Sequence, residues 1–478
     1  MKTHIVVFFL LIFVSCGDLL DENPKSLASE NFYNTKEEVE GGLNAIYAPF
    51  ATPMKDLYPA QQEAYADYGF GRGSYTLVSK FQGLDDANIV RVDGMWGNFY
   101  RAIRNANIIL DRVPLSESLN DSEKTLALSE AKFLRGLVYL ILVQNWGGVP
   151  LRTADNMGVV DIPRAPVSEV WALIEEDLRS ASEHLPDQPR KKGTPSKWSA
   201  KTVLVECLLH LERYQEAKQI AEDIMASNQY KLVEINNSED FLKIFGTDAT
   251  SSTEEILYVK YAREGGKGWQ FPLFPHHPAA GYLGGAGYFA LHSDSENKVI
   301  KNWDENDLRK EFNWYEWDIG LGPTTLLNRK YRDESAPSSN SIGIDYPLYR
   351  YADLLLWYAE LDCRVSGVAT ESGLEALNQV RRRGYGYQVN QPSPIDFKLE
   401  NYTDMETFLN VVVKERGYET CYEGKRWLDL KRLGIAKVTM KDVYNIDVSE
   451  RHMLWPIPLS EMNYNKALVP ERDQNPGY

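Results

Sequence analysis

The chain has 478 residues, of which 43% are hydrophobic and 25% are charged, and its formal net charge is −16. This composition is typical of a globular protein, and the length allows two to three domains or one long α-helical body. The acidic charge, with no block of Lys and Arg, argues against nucleic acid as a ligand because the phosphates would be repelled.

The N-terminus has the pattern of a lipoprotein signal peptide. Residues 5–14 form an apolar run that ends just before Cys16. As a helix this run would span about 15 Å, half the hydrocarbon core of a bilayer, which is too short for a transmembrane anchor. Because Cys16 follows a small residue, we predict that residues 1–15 are removed, that Cys16 is acylated and held in outer-membrane lipid, and that residues 16–34 form an acidic tether. A secretory signal with an incidental cysteine is the alternative.

The body is predicted to begin with a helix over about residues 35–57. Thr35 and Glu38 have the spacing of a capping box, and apolar residues follow at helical intervals. Residues 58–94 then show little helical period and combine Gly with Tyr and Asp. This pattern predicts a loop insertion that is open to function.

Helical periodicity returns over about residues 95–245. Its clearest unit is 197–228, in which two apolar stripes are separated by a polar break at Glu212. Two helices joined by so short a turn must fold back on each other, and the result resembles a tetratricopeptide hairpin. Such a hairpin cannot bury its apolar faces alone, which predicts a stack of hairpins. Similar stripes occupy residues 95–113, 122–145, 168–185, 351–367 and 370–383.

A second insertion is predicted over residues 263–345, after a strand at 255–261. Between 263 and 322 lie eleven aromatic residues and nine glycines without helical period. A helical core would use Leu and Ala at fixed spacing, whereas rings on glycine-rich loops can be presented flat to a ligand. The alternative is that these rings pack the insertion onto the scaffold.

The chain lacks the motifs of zinc proteases, P-loop proteins, α/β-hydrolases and C-x-x-C redox proteins. His276 and His277 are adjacent and would point to opposite sides of an extended segment, which makes a poor metal pair. Cys207, Cys363 and Cys421 are interpreted as buried thiols. We therefore predict a protein that is not an enzyme and that has no metal site and no cofactor. A surface Ca²⁺ is compatible with the sequence but is not indicated by it.

Several motifs follow one another along the chain. They are FLRGLVYLILVQNWGGVP with a SEVWALIEEDL helix, YPLYRYADLLLWYAELDCRVSG with ALNQVRRRG, KERGYETCYEGKRWLDLKRLG, and a C-terminal LWPIP and QNPGY. In this order they resemble the SusD/RagB family over nearly the whole chain. The charged residues of the third motif resemble a catalytic set, but we interpret them as ion pairs and caps that lock the helices. These residues are Glu415, Arg416, Glu419, Glu423, Arg426, Asp429 and Arg432.

The resemblance implies a mostly α fold, with a tetratricopeptide-like scaffold of helical hairpins, long aromatic and Gly-rich loop insertions and a few short strands. Residues 35–478 are then expected to be one body, with scaffold at about 35–57, 95–245 and 345–440. The resemblance also implies a non-catalytic lipoprotein, anchored in the outer membrane and exposed at the cell surface. Such a protein captures oligosaccharide and delivers it to a SusC-type TonB-dependent transporter. The alternatives are a peptide-capturing lid and a structural transporter subunit without its own ligand site.

The glycan-binding candidates are rings from the two insertions, which both lack helical period and combine glycine with aromatics. They are Tyr65, Tyr68 and Tyr75 from residues 58–94, and Trp269, Tyr288, Trp314 and Trp317 from residues 263–345. We expect these rings to converge on one platform. Trp314 and Trp317 are three apart, so a helical turn would place them on one face. For each ring, packing in the core is the alternative.

Overall fold

The computed structural model describes residues 32–247, 249 and 252–478. The predicted signal peptide, Cys16 and nearly all of the predicted tether therefore lie outside the described residues. The first ten helices are α1 (Lys36–Met54), α2 (Leu57–Glu63), α3 (Thr76–Ser79), α4 (Asp86–Arg112), α5 (Asp121–Trp146), α6 (Val167–His184), α7 (Lys197–His210), α8 (Tyr214–Ala226), α9 (Leu242–Phe245) and α10 (Lys298–Lys301). They are followed by α11 (Leu308–Asn313), α12 (Tyr351–Ser366), α13 (Glu371–Gly384), α14 (Met405–Glu419), α15 (Arg426–Arg432), α16 (Ala436–Tyr444), α17 (Leu459–Tyr464) and α18 (Pro470–Asp473). The strands are β1 (Phe70–Gly71), β2 (Glu255–Val259), β3 (Leu291–Asp294), β4 (Trp314–Glu316), β5 (Thr325–Asn328) and β6 (Tyr346–Arg350).

Eight long helices form a stack of four pairs. The pairs are α1 with α4, α5 with α6, α7 with α8, and α12 with α13. Each pair packs on the next through α4 and α5, α6 and α7, and α8 and α12. The pairs stack because each one buries the apolar face that its neighbour leaves open. The mostly helical fold with a few short strands confirms the predicted fold class.

The hairpin predicted at residues 197–228 is present as α7 and α8. Ser196 caps α7, and Glu212 in the intervening turn has a left-handed φ of 56°. Ala217 and Ala221 are fully buried, which allows α8 to pack closely against its neighbours. Helix α8 buries one face, as its periodicity predicts, whereas α7 is buried on most sides by its neighbours.

The predicted loop at residues 58–94 is partly helical, which corrects the sequence interpretation. It contains most of α2, all of α3 and the first turns of α4. Every residue of α2 from Tyr58 to Glu63 is buried, so this helix has no amphipathic stripe that a periodicity argument could detect. Helix α4 begins after Asp85, whose carboxylate accepts a hydrogen bond of 3.0 Å from the Asn88 N–H.

Two small antiparallel sheets join the insertions to each other and to the scaffold. The larger has the strand order β1-β3-β5-β4, so Phe70 of the first insertion pairs with His292 of the second. The smaller sheet pairs β2 with β6, which flank the second insertion on either side. The two insertions, which are far apart along the chain, therefore meet in space.

A network of buried ion pairs holds the third sequence motif in the core. Arg350, fully buried at the end of β6, lies 2.8 Å from Glu419 and 2.6 Å from Glu423. Arg383 of α13 lies 2.7 Å from Glu254, which also contacts Arg350. Burial would raise the pKa of Glu419, but the surrounding guanidinium groups, Arg383 first, lower this pKa to about 2. Glu419 is therefore charged at pH 7, and the acids of the motif are paired with arginines, which confirms the structural interpretation of the motif.

The same network attaches both insertions to the helices. Lys330 of the second insertion lies 2.6 Å from Glu423, and both side chains are buried. Asp67 of the first insertion lies 2.6 Å from Arg426 at the start of α15. The insertions are therefore built into the core through charged groups, which helical periodicity does not reveal.

Candidate functional site

Five of the seven rings predicted to contact ligand are buried. They are Tyr65, Tyr68, Tyr75, Trp269 and Trp314, and each exposes at most 7% of its surface. A buried ring has no free face for a sugar, so these five are corrected from binding candidates to core residues. The two accessible rings are Tyr288 and Trp317.

Trp269 shows why a ring in a glycine-rich segment can belong to the core. Its indole N–H donates a hydrogen bond of 3.1 Å to the Met54 carbonyl of α1. Its ring is stacked on Tyr346 at 5.2 Å between centroids and meets Tyr331 edge-on at 4.6 Å. Trp269 thus joins the insertion to the first helix of the scaffold.

Tyr68 and Trp314 bring the two insertions together, but inside the protein. The Tyr68 hydroxyl donates to the Glu63 carboxylate at 2.6 Å and accepts from the Tyr422 N–H at 3.0 Å. Its ring meets Trp314 edge-on, with centroids 6.3 Å apart. The rings of the two insertions converge as expected, yet the meeting point is a packed core and not an open platform.

Tyr65 and Tyr75 are buried for the same reason. Tyr65 is stacked on Trp427 of α15 with centroids 5.3 Å apart. Tyr75 meets Phe274 edge-on at 5.8 Å, which links the first insertion to the second. Both tyrosine rings are therefore packed against neighbouring aromatic side chains inside the protein.

Trp314 and Trp317 do not share a helical turn, which corrects the prediction of adjoining platforms. Trp314 begins β4 and lies opposite Asn328 of β5. In extended backbone the side chains alternate between two faces, so positions three apart face opposite sides. Trp314 is buried, whereas Trp317, just after the strand, is half-buried at the surface.

Half-buried groups from both insertions form what we call the aromatic ladder, which consists of Trp317, His277, Phe289 and Arg72. Trp317 and His277 are stacked, with centroids 5.0 Å apart and planes at 30°. His277 and Phe289 are 4.7 Å apart at 42°, and the Cζ atom of Arg72 lies 4.6 Å from the Phe289 centroid. The contacts therefore run from Trp317 at one end to Arg72 of the first insertion at the other.

The centre of the ladder is set by a strained stretch of backbone. Phe289 has a φ of 39°, in the left-handed region that non-glycine residues avoid, and its N–H donates to the His276 carbonyl at 2.9 Å. Gly287 lies against the same carbonyl, where a Cβ atom would clash. Strain of this kind costs on the order of 1–3 kcal/mol and is concentrated at functional sites.

The Trp317 end of the ladder is held by a tight turn. The Trp317 N–H donates to the Thr325 carbonyl at 3.1 Å. The Asp318 carboxylate accepts hydrogen bonds from the N–H groups of Gly322 at 3.0 Å and Gly320 at 2.7 Å, and these bonds lower the pKa of Asp318. The indole N–H of Trp317 forms no hydrogen bond with any described residue, so it is available to a ligand.

Tyr288 adds an exposed ring beside the ladder. It is adjacent to Phe289 in the chain, and 52% of its surface is exposed. Its ring meets Phe274 edge-on at 5.5 Å, and Phe274 in turn contacts the buried Tyr75. Phe274 therefore contacts both the exposed Tyr288 and the buried Tyr75.

His276 and Tyr315, which pack against the ladder, are neutral at pH 7. Burial lowers the pKa of His276 to about 4, and burial raises the pKa of Tyr315 to about 12. The Tyr315 hydroxyl accepts a hydrogen bond of 3.2 Å from the His277 N–H. No cluster of three or more His, Cys, Asp or Glu within the described residues could hold a metal ion. The site offers ring faces and one guanidinium, which suits binding better than proton transfer.

Sequence reasoning missed three members of the ladder. Phe289 was counted among the aromatics but not chosen, and His277 was weighed only as a metal ligand. Arg72 lies between two glycines and two residues after Phe70, in the segment FGRGSY. An arginine held by flexible backbone beside aromatic residues is the signal that could have identified this end of the site.

Together, the fold and the site define a non-catalytic binding protein, in which a stack of helical pairs carries an aromatic surface built from two insertions. Residues 18–209 match a family model described as starch-binding and associating with the outer membrane, and residues 293–478 match the model of the SusD family. The chain belongs to the SusD/RagB family, whose members are outer-membrane-associated glycan-binding proteins and not enzymes.

Relatives and solved structures agree with this assignment. The chain is 25% identical to SusD-like protein P2 of Formosa agariphila over the full length of both chains, and 23% identical to SusD-like protein P25 of the same organism over 99% of each. Among solved structures, a SusD homolog from Bacteroides thetaiotaomicron has a TM-score of 0.79 and 21% identity over 94% of this chain and 98% of that one. A protein described as a laminarin-binding SusD-like protein has a TM-score of 0.75 and 21% identity over 93% and 100%. At these identities the structural likeness shows the fold.

A search of the described residues for membrane spans finds no helix that is both long and apolar enough to cross a bilayer.

Proposed function

We propose that this protein captures oligosaccharides at the cell surface and delivers them to a SusC-type TonB-dependent transporter of the outer membrane. The observation that carries the proposal is the aromatic ladder with its accessible Trp317 and the neighbouring exposed Tyr288. An aromatic face packs against the apolar face of a pyranose, while a free N–H or hydroxyl bonds the sugar hydroxyls at the ring edge.

The expected affinity is modest. Each ring stack contributes on the order of 0.5–1.5 kcal/mol beyond its buried area, and association costs several kcal/mol in lost freedom. Two or three stacks then correspond to dissociation constants of about micromolar to millimolar. A protein that passes its cargo to a transporter is well served by such weak binding, since tight binding would slow release.

The comparisons support the same ligand class. One structural relative is described as laminarin-binding, and others are described as surface glycan-binding protein A of Bacteroides fluxus and of Bacteroides thetaiotaomicron. These descriptions belong to those proteins, and they make glycans the first ligands to test here.

We further propose that residues 35–478 act as one body and that the acylated Cys16 holds this body at the membrane. The buried contacts between Asp67 and Arg426, and between Lys330 and Glu423, support a single unit because they join both insertions to the C-terminal helices. The tether of residues 16–34 would leave the body free to meet both glycan and transporter.

Calorimetric titration of the mature protein against a ligand panel tests the function. The panel contains laminarin, amylopectin, xylan, polygalacturonate, a sulfated galactan and a peptide mixture from digested casein. Saturable binding of at least one glycan, with no binding of peptides, is the expected result. Binding of peptides alone would replace the proposal with a peptide-capturing lid. Binding of nothing in the panel would favour a structural transporter subunit.

The Cys16→Ala variant tests the anchor. We expect it to fold normally but to be released from the membrane fraction or to remain uncleaved, because acylation of Cys16 is the only membrane attachment that the sequence predicts. The membrane fractionation should be done in a strain that lacks the transporter partner. It then distinguishes attachment through the lipid anchor from attachment through the partner. If the variant still sediments with outer membranes in that strain, the tether assignment is wrong. The Ser15→Gly variant keeps a small residue before the cysteine and serves as the control.

A further inference from the structure

Arg72 is placed at the end of the aromatic ladder without a charged partner. Its backbone N–H donates to the Ala290 carbonyl at 2.8 Å, which fixes the residue at the edge of the sheet. Its guanidinium lies over Phe289, and it forms no hydrogen bond or ion pair with any residue that the structure describes. Most arginines of this protein are paired with carboxylates, so a half-buried guanidinium held only by a ring is unusual here.

The first insertion contains a second arginine. Arg91 of α4 donates to the Ser74 hydroxyl at 2.8 Å and to the Asn88 side-chain oxygen at 3.0 Å, and its Cζ atom lies 4.5 Å from the Tyr75 centroid. All three neighbours are uncharged, and Ser74 is only two residues from Arg72. The first insertion therefore carries two arginines, neither of which forms an ion pair with a described residue, in a chain whose net charge is −16.

Two acidic groups near the ladder, Asp318 and Asp294, accept hydrogen bonds from their own neighbours. The Asp318 carboxylate accepts hydrogen bonds from the backbone of residues 320–322. The Asp294 carboxylate accepts a hydrogen bond of 3.0 Å from the Thr324 hydroxyl. Neither of these acids forms an ion pair with Arg72 in the described structure. The guanidinium N–H groups of Arg72 can therefore bind an external anion.

We propose that the aromatic ladder binds acidic glycans, with the guanidinium of Arg72 contacting a carboxylate or sulfate group on a sugar whose ring packs on the neighbouring aromatics. This inference rests on the proposed glycan capture and narrows its ligand class. A guanidinium presents a planar fork of N–H donors that matches both kinds of oxyanion, and its packing over Phe289 holds that plane in place before the ligand arrives. Uronate and sulfate ester share this chemistry, and the experiment separates them.

Matched ligand pairs provide the test. Polygalacturonate is compared with the same polymer after reduction of its carboxyl groups, and a sulfated galactan with its desulfated form, in calorimetric titrations of the mature protein. We expect at least one acidic polymer to bind about tenfold or more tightly than its neutral counterpart, as the loss of a charge-assisted hydrogen bond implies. The acidic pair that shows the difference identifies the oxyanion. Raising the salt concentration from about 0.05 M to about 0.5 M should weaken the binding of the acidic ligand and leave the binding of the neutral ligand nearly unchanged.

The Arg72→Gln variant assigns the effect to this residue. It should lose about tenfold in affinity for the acidic polymer and less than about twofold for the neutral one. Arg213→Gln, in the turn between α7 and α8, is the matched control and should change neither affinity. Salt dependence of the wild-type protein needs no variant, so the inference stays testable if Arg72→Gln fails to fold.

Two negative results are distinguishable. If neutral and acidic partners of both pairs bind equally and independently of salt, this inference is overturned while glycan capture stands. If no glycan binds at all, glycan capture itself is overturned, and this inference falls with it.

Discussion

Replacing Glu423 by Gln should lower the free energy of unfolding by about 3–5 kcal/mol, the range found when one partner of a buried ion pair is removed. Glu423 is fully buried and accepts hydrogen bonds from Arg350 at 2.6 Å and from Lys330 at 2.6 Å. Gln keeps the shape but loses the charge, so the buried Lys330 would lose the carboxylate with which it is paired, and Arg350 would keep only Glu254 and Glu419. The effect should be measured by chemical denaturation of both proteins at pH 7.

An exposed acid supplies the matched control. Glu450 pairs with Lys437 on the surface, and 70% of its side chain is exposed. Because such pairs contribute about 0–1 kcal/mol, Glu450→Gln should leave the stability nearly unchanged. If the two variants lose similar stability, the buried network does not hold the insertions in the way that the structure indicates.

The same network predicts a loss of stability in acid. The pKa of Glu419 and that of Glu360 are each lowered to about 2, in spite of burial, by the arginines that surround them. In the unfolded chain a Glu titrates near 4.5, so these groups stabilise the folded state above that pH. This contribution should fall as the pH decreases from about 4.5 towards about 2, because the unfolded state then binds more protons. The dependence should be weaker in Glu423→Gln, because Arg350 lowers the pKa of Glu423 in spite of burial and the variant no longer has this titrating carboxyl group.

The sequence was sufficient for the scaffold because amphipathic helices carry their own signal. Helices α7, α8, α12 and α13 begin and end close to the predicted positions. The sequence signal is clearest in α8, which buries one stripe, and in α12, which ends at the Gly367 cap. Helix α2 was missed because it is buried all round and therefore has no stripe. The role of the third motif as an ion-pair network also followed from the sequence, but its partners in the insertions did not, because pairs such as Asp67 with Arg426 join distant parts of the chain.

Five of the seven rings predicted for the site are buried, and only Tyr288 and Trp317 are accessible. A tryptophan in a glycine-rich segment has the same local sequence whether it faces solvent or the core. Trp269 is buried because α1 and β6 cover it, and neither element is near it in sequence. Trp317 is accessible because β4 ends one residue earlier and Asp318 turns the chain. Burial is decided by long-range packing, which composition and spacing do not contain.

The Trp317→Ala variant should reduce glycan affinity by about tenfold or more while changing stability by less than about 1 kcal/mol. Trp317 is half-buried, and its stack on His277 is the accessible end of the aromatic ladder. The substitution removes a face on which a pyranose can pack but leaves the core intact. The Trp269→Ala variant should behave in the opposite way. Its ring is fully buried, so truncation should cost about 3–5 kcal/mol.

The paired design separates binding from folding because both variants remove the same side chain from the same insertion. Melting temperature and calorimetric affinity should be measured for both proteins with the glycan that binds the wild type most tightly. Trp317→Phe keeps a ring, so it should retain a larger share of the affinity than Trp317→Ala. If Trp317→Ala binds glycan normally, the ladder is not the binding surface, whatever the fate of Trp269. If Trp269→Ala keeps full stability and loses binding instead, the corrected assignment of that ring to the core is wrong, and the original platform formed by the second insertion must be reconsidered.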